Sequence, residues 1–569
     1  LSGIVKWVGF ARLKLTFTSL FVQTSVLAYA LIGLWLVFVC QAIGEIATLL
    51  PLPGAFNAWG ARVFDEAFSF QMTVSPPSLP ASRARFFFFD AKLQQKKPGL
   101  HKRNNTDTAF FYVLSNFLHV VPVSDALLTH KNQYMYAINW LLTIPAELSA
   151  SAIIVQYWLP QDSSFPPWVV PLIIIIVMVV INLAGVRAYG ELEYWFSILK
   201  VLTIIIFIIC AILVDAGLVG QKVKYGMAAW HVEGAPFKGG FLGFVKTLVS
   251  VGYAYGGSEM TGVTAAESRN PHKHVPRAVN TVLLRIAFFY IVSIFLLGSI
   301  IPNDDPKLDN AEGTAAAAPF TIVFMMAGMN AAANYMNAVV FTSVFSAINS
   351  DFYVSTRMLL SLARNGWAHK KIGYTNSRGV PVVALAIVTA CSCLSLITIF
   401  VGSGVVFNWF VSIIGSIIFQ SWILILFLHF RFRYCWAKQG RSVSDLPYRS
   451  WGYPYGNILA TLIGICCIVA TCYLSVINPP KNPGPGASEE DISLYHKARD
   501  SYAQNLLGAW FPWVCSAFLY FGYKFVHKTK LVKAEEADLD TGRFIPTESD
   551  KEDINKKGPL WKVILRRLI

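Results

Sequence analysis

The chain has 569 residues, of which 55% are hydrophobic and 14% charged, and its mean hydropathy is +0.51. That balance excludes a soluble globular protein of this size; repeated apolar runs of about 20 residues describe an all-α membrane protein with many spans. The net charge of +15 is therefore no nucleic-acid footprint, because the Lys and Arg lie mainly between the apolar runs, where they set topology.

Residues 1–25 form an atypical start. They are apolar overall but carry Lys6, Arg12 and Lys14. Three cations at the depth of one span would cost about 7–10 kcal/mol, so no spanning helix is predicted there. The first span is predicted at 26–46; it ends beside Glu45, and the turn cluster Pro51-Leu52-Pro53-Gly54 follows. Residues 26–70 thus make one span and its loop. Residues 71–134 change character: Pro76-Pro77, Phe86 to Phe89, Lys96-Lys97-Pro98 and Asn104-Asn105 share no periodicity, and the stretch reads as a non-membrane insert. Residues 135–526 hold ten more predicted spans, at 136–158, 169–186, 195–214, 241–266, 282–301, 331–354, 382–401, 405–429, 458–476 and 506–525. That makes eleven convincing spans. Residues 527–569 form a charged tail, expected to be mobile.

Loop charge gives an orientation. Arg269, Lys273, Arg277 and Arg285 follow the 241–266 span, and Arg357, Arg364, Lys370 and Lys371 follow the 331–354 span. Between these two spans lie Asp304, Asp305, Asp309 and Glu312. The basic loops are expected in the cytoplasm, and alternation puts the insert and the C-terminal tail there too.

Chemistry concentrates at Tyr253-Ala254-Tyr255-Gly256-Gly257-Ser258-Glu259, in the middle of an apolar run. Each Gly costs a helix about 1 kcal/mol relative to Ala. A mid-membrane carboxylate costs at least about 2.5–3.5 kcal/mol, so it faces a partner or a watery cavity. Transporters place substrate and ion sites at such breaks. The bland alternative is a Gly-packed helix contact with one satisfied Glu. Glu147, inside Pro145-Ala146-Glu147, is a second carboxylate at span depth. Ser343, Ser346, Asn349, Ser350 and Asp351 cluster late in the 331–354 span, where hydrogen bonding between helices is the ordinary role. The nine Cys sit mostly inside apolar runs with no metal-ligand spacing. No P-loop or nucleophile elbow stands out, which argues against an ATP-driven pump or a hydrolase, and no cofactor is implied. A break with two carboxylates points to a solute carrier with proton coupling.

The run Tyr253 to Glu259 resembles the broken helix of fungal amino-acid permeases, of the amino acid–polyamine–organocation superfamily. Further matches are Gln41-Ala42-Ile43-Gly44-Glu45, Pro145 to Ala150, Tyr189 to Trp195, Ala265 to Pro271, Asn349-Ser350, Asp445-Leu446-Pro447-Tyr448 and Asp538 to Arg543. The resemblance implies a LeuT-like fold: two inverted five-helix repeats plus two helices, about twelve spans in all. It implies proton-driven uptake of L-amino acids across the plasma membrane, with the lipid bilayer as surroundings. On that reading the carbonyls near Tyr253 and Gly256 hold the substrate ammonium. The Tyr253 ring lies over the substrate, Glu259 and then Glu147 couple to protons, and Ser346 and Asn349 are possible pocket groups. Two departures stand out. Only Ser2-Gly3 could match the family's first-helix Gly-Ser/Thr-Gly break, and nothing in the family corresponds to 73–133. Both stretches read as non-coding sequence carried into the chain, which is then expected to transport poorly. The alternatives are a non-transporting amino-acid sensor on the same fold and a non-functional paralogue.

Overall fold

The computed structural model describes residues 22–52, 56–65, 68, 135–160, 165–220, 223–226, 240–259, 270–301, 319–364, 368–377, 379–477, 479–480, 482 and 488–544. Among the described residues every regular element is helical. Hydrocarbon offers the backbone no partner, so each apolar segment satisfies its own N–H and C=O groups. The helices are α1 (Val22–Leu49), α2 (Phe56–Val63), α3 (Met135–Val155), α4 (Val169–Ala184), α5 (Val186–Asp215) and α6 (Gly240–Ala254). Then come α7 (Pro271–Arg285), a π-helical segment (Ile286–Val292), α8 (Ser293–Ile300), α9 (Pro319–Met326) and α10 (Asn330–Arg364). The last are α11 (Val382–Ser392), a 3-10 stretch (Cys393–Ile397), α12 (Thr398–Val401), α13 (Ser403–Lys438), α14 (Tyr455–Val476) and α15 (Glu489–His527).

Eight described helical segments are long and apolar enough to cross a membrane. The other three expected spans are the 16-residue α4, the 15-residue α6 and the 39-residue α15. The α4 span stops at Ala184 because Gly185 has φ +100°, a conformation open to Gly at little cost, and a new helix starts at Val186. The expected span at 241–266 stops being helical at Ala254, inside the predicted break. Helices also outrun the apolar runs: Arg277 and Arg285 lie on α7, and Arg357 and Arg364 lie on α10, not in loops. The short α9 has no counterpart among the expected spans. Residues 1–21, the insert at 71–134, residues 260–266 of the 241–266 span and the acidic loop at 303–312 lie outside the described residues.

The core is the contact zone between two helix groups. One group packs α6, α7, α13 and α14 around α1; the other packs α3, α4, α5 and α11 around α10. The α3–α13 contact joins them, with α8 against α5 beside it. Trp35, Trp140, Trp422 and Phe352 are fully buried at these contacts. The outer faces carry large exposed apolar side chains, such as Ile176 and Val180 on α4 and Ile205 and Ile209 on α5, as helices in lipid require.

The tail differs from its expected mobility over 528–544, which is docked. Val532 N–H donates to Phe64 O at 2.6 Å, Arg431 donates to Val532 O, and Gln439 Nε2 donates to Ala537 O at 2.7 Å. Leu539 is fully buried, Arg441 pairs with Asp540, and Phe544 N–H reaches Leu49 O at 2.8 Å. A charged stretch can fold down like this when its carboxylates meet cations and one leucine finds a pocket.

Candidate functional site

Site geometry starts from the end of α6. After Ala254 the chain turns instead of continuing, and the turn satisfies its own polar groups. Gly256 N–H donates to Tyr253 O at 3.1 Å, and Ser258 Oγ donates to Tyr255 O at 3.0 Å. Ala254 O accepts from the Tyr290 hydroxyl at 3.3 Å. Glu259 closes the turn from the other side, accepting from Gly257 N–H at 3.1 Å. The two glycines have different duties. Gly257 has φ +87° and makes the turn itself. Gly256 lets the turn approach α13, since a Cβ there would stand 2.5 Å from Ile418 Cδ1. Gly252, one turn earlier, does the same against Phe419.

Three helices close on this turn. From α13, Trp422 Nε1–H donates to Glu259 Oε2 at 3.3 Å, and Glu259 is 1% exposed. From α1, Tyr29 O accepts from the Tyr255 hydroxyl at 3.0 Å. From the π-helical segment comes Tyr290. The rings of Tyr29, Tyr255 and Tyr290 form a cluster with centroids 4.6 to 6.0 Å apart. The C-terminal end of α6 carries a partial negative charge, and with carbonyls and a carboxylate gathered there it suits a cation.

A second buried polar cluster lies in the α5–α10 contact. Lys200, 1% exposed, donates to Ser346 Oγ at 2.8 Å, and Ser346 donates to Glu193 at 2.9 Å. Asn349 Nδ2 reaches Glu193 Oε1 at 3.5 Å. Lys200 and Glu193 are seven residues apart, so they share a face of α5, and Ser346 and Asn349 share a face of α10. Glu147, fully buried on α3, is close enough to interact electrostatically with Lys200.

A third cluster ties α1 to α13. Glu45 accepts from His429 Nε2 at 3.0 Å, Arg433 Nη2 at 2.8 Å and the Ser450 N–H at 2.7 Å. Asn457 Nδ2 lies 2.7 Å from His429 Nδ1 and fixes the orientation of the imidazole.

The structure therefore brings Tyr253, Ala254, Tyr255, Gly256, Gly257, Ser258 and Glu259 together in one turn. It places Ser346, Asn349 and Glu147 in a different cluster, around Lys200 and Glu193. Sequence reasoning passed over Lys200, although an ammonium in the middle of the 195–214 run is a signal of the same kind as Glu259. It also passed over Tyr290 and Trp422, two aromatics among many in apolar runs.

A family model described as amino acid permease matches residues 131–511. The lysine-specific permease LysP of Lactococcus lactis is 33% identical over 519 residues, covering 90% of this chain and 85% of the relative. The histidine permease HisP of the same organism is 32% identical, covering 90% of each chain. An S-adenosylmethionine permease of Candida albicans is 30% identical, covering 94% of this chain and 75% of the relative.

Proposed function

Because this chain belongs to the amino acid permease family, we propose that it is a proton-coupled carrier that takes up L-amino acids across the plasma membrane by alternating access. The observation that carries the reading is the turn at the end of α6, which gathers carbonyls and the buried Glu259 at one point. The ammonium of an amino acid binds at the partial negative end of α6, near the carbonyls of Tyr253 and Ala254. The Tyr253 ring adds cation–π attraction of about 0.5–2 kcal/mol. Glu259 exchanges the coupled proton, and the Glu147–Lys200–Glu193 group is the second candidate. By resemblance the substrate carboxylate meets N–H groups of a first-helix break. Ser2-Gly3, which resembles the end of that break, lies outside the described residues.

Radiolabelled uptake in a permease-deficient host tests this. Two chains are compared: the chain as it stands, and one with a family-like first helix and without 73–133. Saturable uptake by either chain, abolished by a protonophore, is the expected result. Uptake by neither chain removes the transport reading. Orientation has its own test. A cysteine in the 303–312 loop should react with an impermeant thiol reagent from outside, and one at Lys370 should not. The reverse pattern overturns a cytoplasmic C-terminus.

A further inference from the structure

Three successive carbonyls at the turn after α6, those of Tyr253, Ala254 and Tyr255, each have a donor. Two donors are local: Gly256 N–H serves Tyr253 O, and Ser258 Oγ serves Tyr255 O, so both move with the turn. The third is not. Ala254 O, the last carbonyl of α6, is served by Tyr290 from another helix.

Tyr290 sits in the seven-residue π-helical segment between α7 and α8. Such segments are rare and concentrate at functional sites, because the extra residue re-registers side chains against the neighbouring helix. Here the ring lies 4.6 Å from Tyr255 and 6.0 Å from Tyr29, and its hydroxyl reaches the one of these three carbonyls to which no described residue of the turn donates. The contact is 3.3 Å long, well beyond the usual 2.7–2.8 Å for O–H···O, so it is a weak bond. A charged N–H donor would make a shorter and stronger one.

We propose that Tyr290 is a positioning residue that occupies the Ala254 carbonyl while the carrier is empty and surrenders it to the substrate ammonium. This rests on the transport reading above. An empty site would otherwise leave a half-helix end with a bare buried carbonyl, which costs free energy. The Tyr290 hydroxyl removes that cost without adding charge. An arriving ammonium replaces it because it is the better donor. The residue thus helps the unloaded carrier reorient, a step that net uptake needs and that exchange of internal for external substrate does not. It also competes with substrate, so its loss tightens apparent binding.

The test uses purified protein with the family-like first helix and without 73–133, reconstituted in liposomes. The probe is whichever radiolabelled L-amino acid, from a panel of twenty, that parent protein takes up. Net uptake into empty liposomes and exchange into liposomes preloaded with the same amino acid are measured on the same preparation. Their ratio does not depend on how much of the protein is folded. Tyr290→Phe should lower the ratio about tenfold, the size of one buried hydrogen bond, with exchange changed less than about twofold and a lower KM. Tyr255→Phe removes a hydroxyl from the same ring cluster, but that hydroxyl bonds Tyr29 O, and it should change both rates alike. A Tyr290→Phe ratio equal to that of the parent, or equal losses in the two assays, overturns the inference. A parent protein that moves none of the twenty amino acids sinks the transport reading and takes this inference with it.

Discussion

Glu45 and Glu259 are both buried carboxylates that face α13, and they are held in opposite ways. Glu45 meets a guanidinium, an imidazole and a backbone N–H, so a full charge is balanced by a full charge. Glu259 is held by the Gly257 N–H and the Trp422 indole, two neutral donors, at the edge of a turn. The first arrangement fixes two helices against each other, because removing either charge strands the other in a low-dielectric interior. In the second, neither of these two donors carries a charge that a proton on Glu259 would strand. Burial alone therefore does not tell the two apart; the charge of the donors does.

The largest expected effect breaks the fastening. Glu45→Gln leaves Arg433 buried without its counter-charge, a cost of about 3–5 kcal/mol. It should show as loss of folded protein in detergent and a collapse of thermal stability, whatever the substrate. A variant as stable as the parent would mean that Glu45 is not the fastening described. Glu259→Gln is the sharper contrast. It should leave folded protein nearly unchanged, lower pH-driven accumulation in the repaired chain about tenfold or more, and let substrate binding partly survive. Full accumulation in that variant would move the coupling role to Glu147 or Lys200.

The smallest effect lies at the surface. The Arg441 hydrogen bond holds the Asp540 carboxyl below its usual range, and the Thr541 N–H does the same for Asp538. Because both are lowered, their contribution to docking is complete above the ordinary Asp value near 3.8 and fades as pH falls below it. Asp540→Asn should weaken docking by about 0.2–1 kcal/mol, since exposed pairs are worth little. Proteolysis of the tail against pH reports it: protection flat from neutral down to about pH 4 and lost below is expected for the parent. Loss near neutrality would point to another group.

The sequence pattern made some of these regions legible and hid others. The turn at Gly256-Gly257 was visible because two glycines and a carboxylate contradict an apolar run at its centre. The Glu45 fastening was not, because its partners are 384 and 388 positions away and nothing local in a helix signals a distant cation. Span ends were misplaced wherever the helix continues past the hydrocarbon. Arg357 reads as a loop residue by charge, yet α10 carries it on a regular helical turn. The docked tail was read as mobile because it is polar and aperiodic, and one buried leucine at 539 leaves no pattern. Lys200 was legible and was passed over.

One geometric fact about α13 links all three regions. Trp422 touches Glu259, His429 and Arg433 touch Glu45, and Trp436 lies under the guanidinium groups of Arg441 and Arg543 from the docked tail. These positions are spaced 7, 4 and 3 along one unbroken 36-residue helix. At 100° per residue they stay within about 40° of one line, spread over about 21 Å. The helix works as a keyed shaft: a turn of one residue's angle would pull every key from its slot at once. Motion at the Glu259 end that twisted α13 would thus be felt at the tail end, and a partner gripping the tail would resist rotation at Trp422 without coming near it.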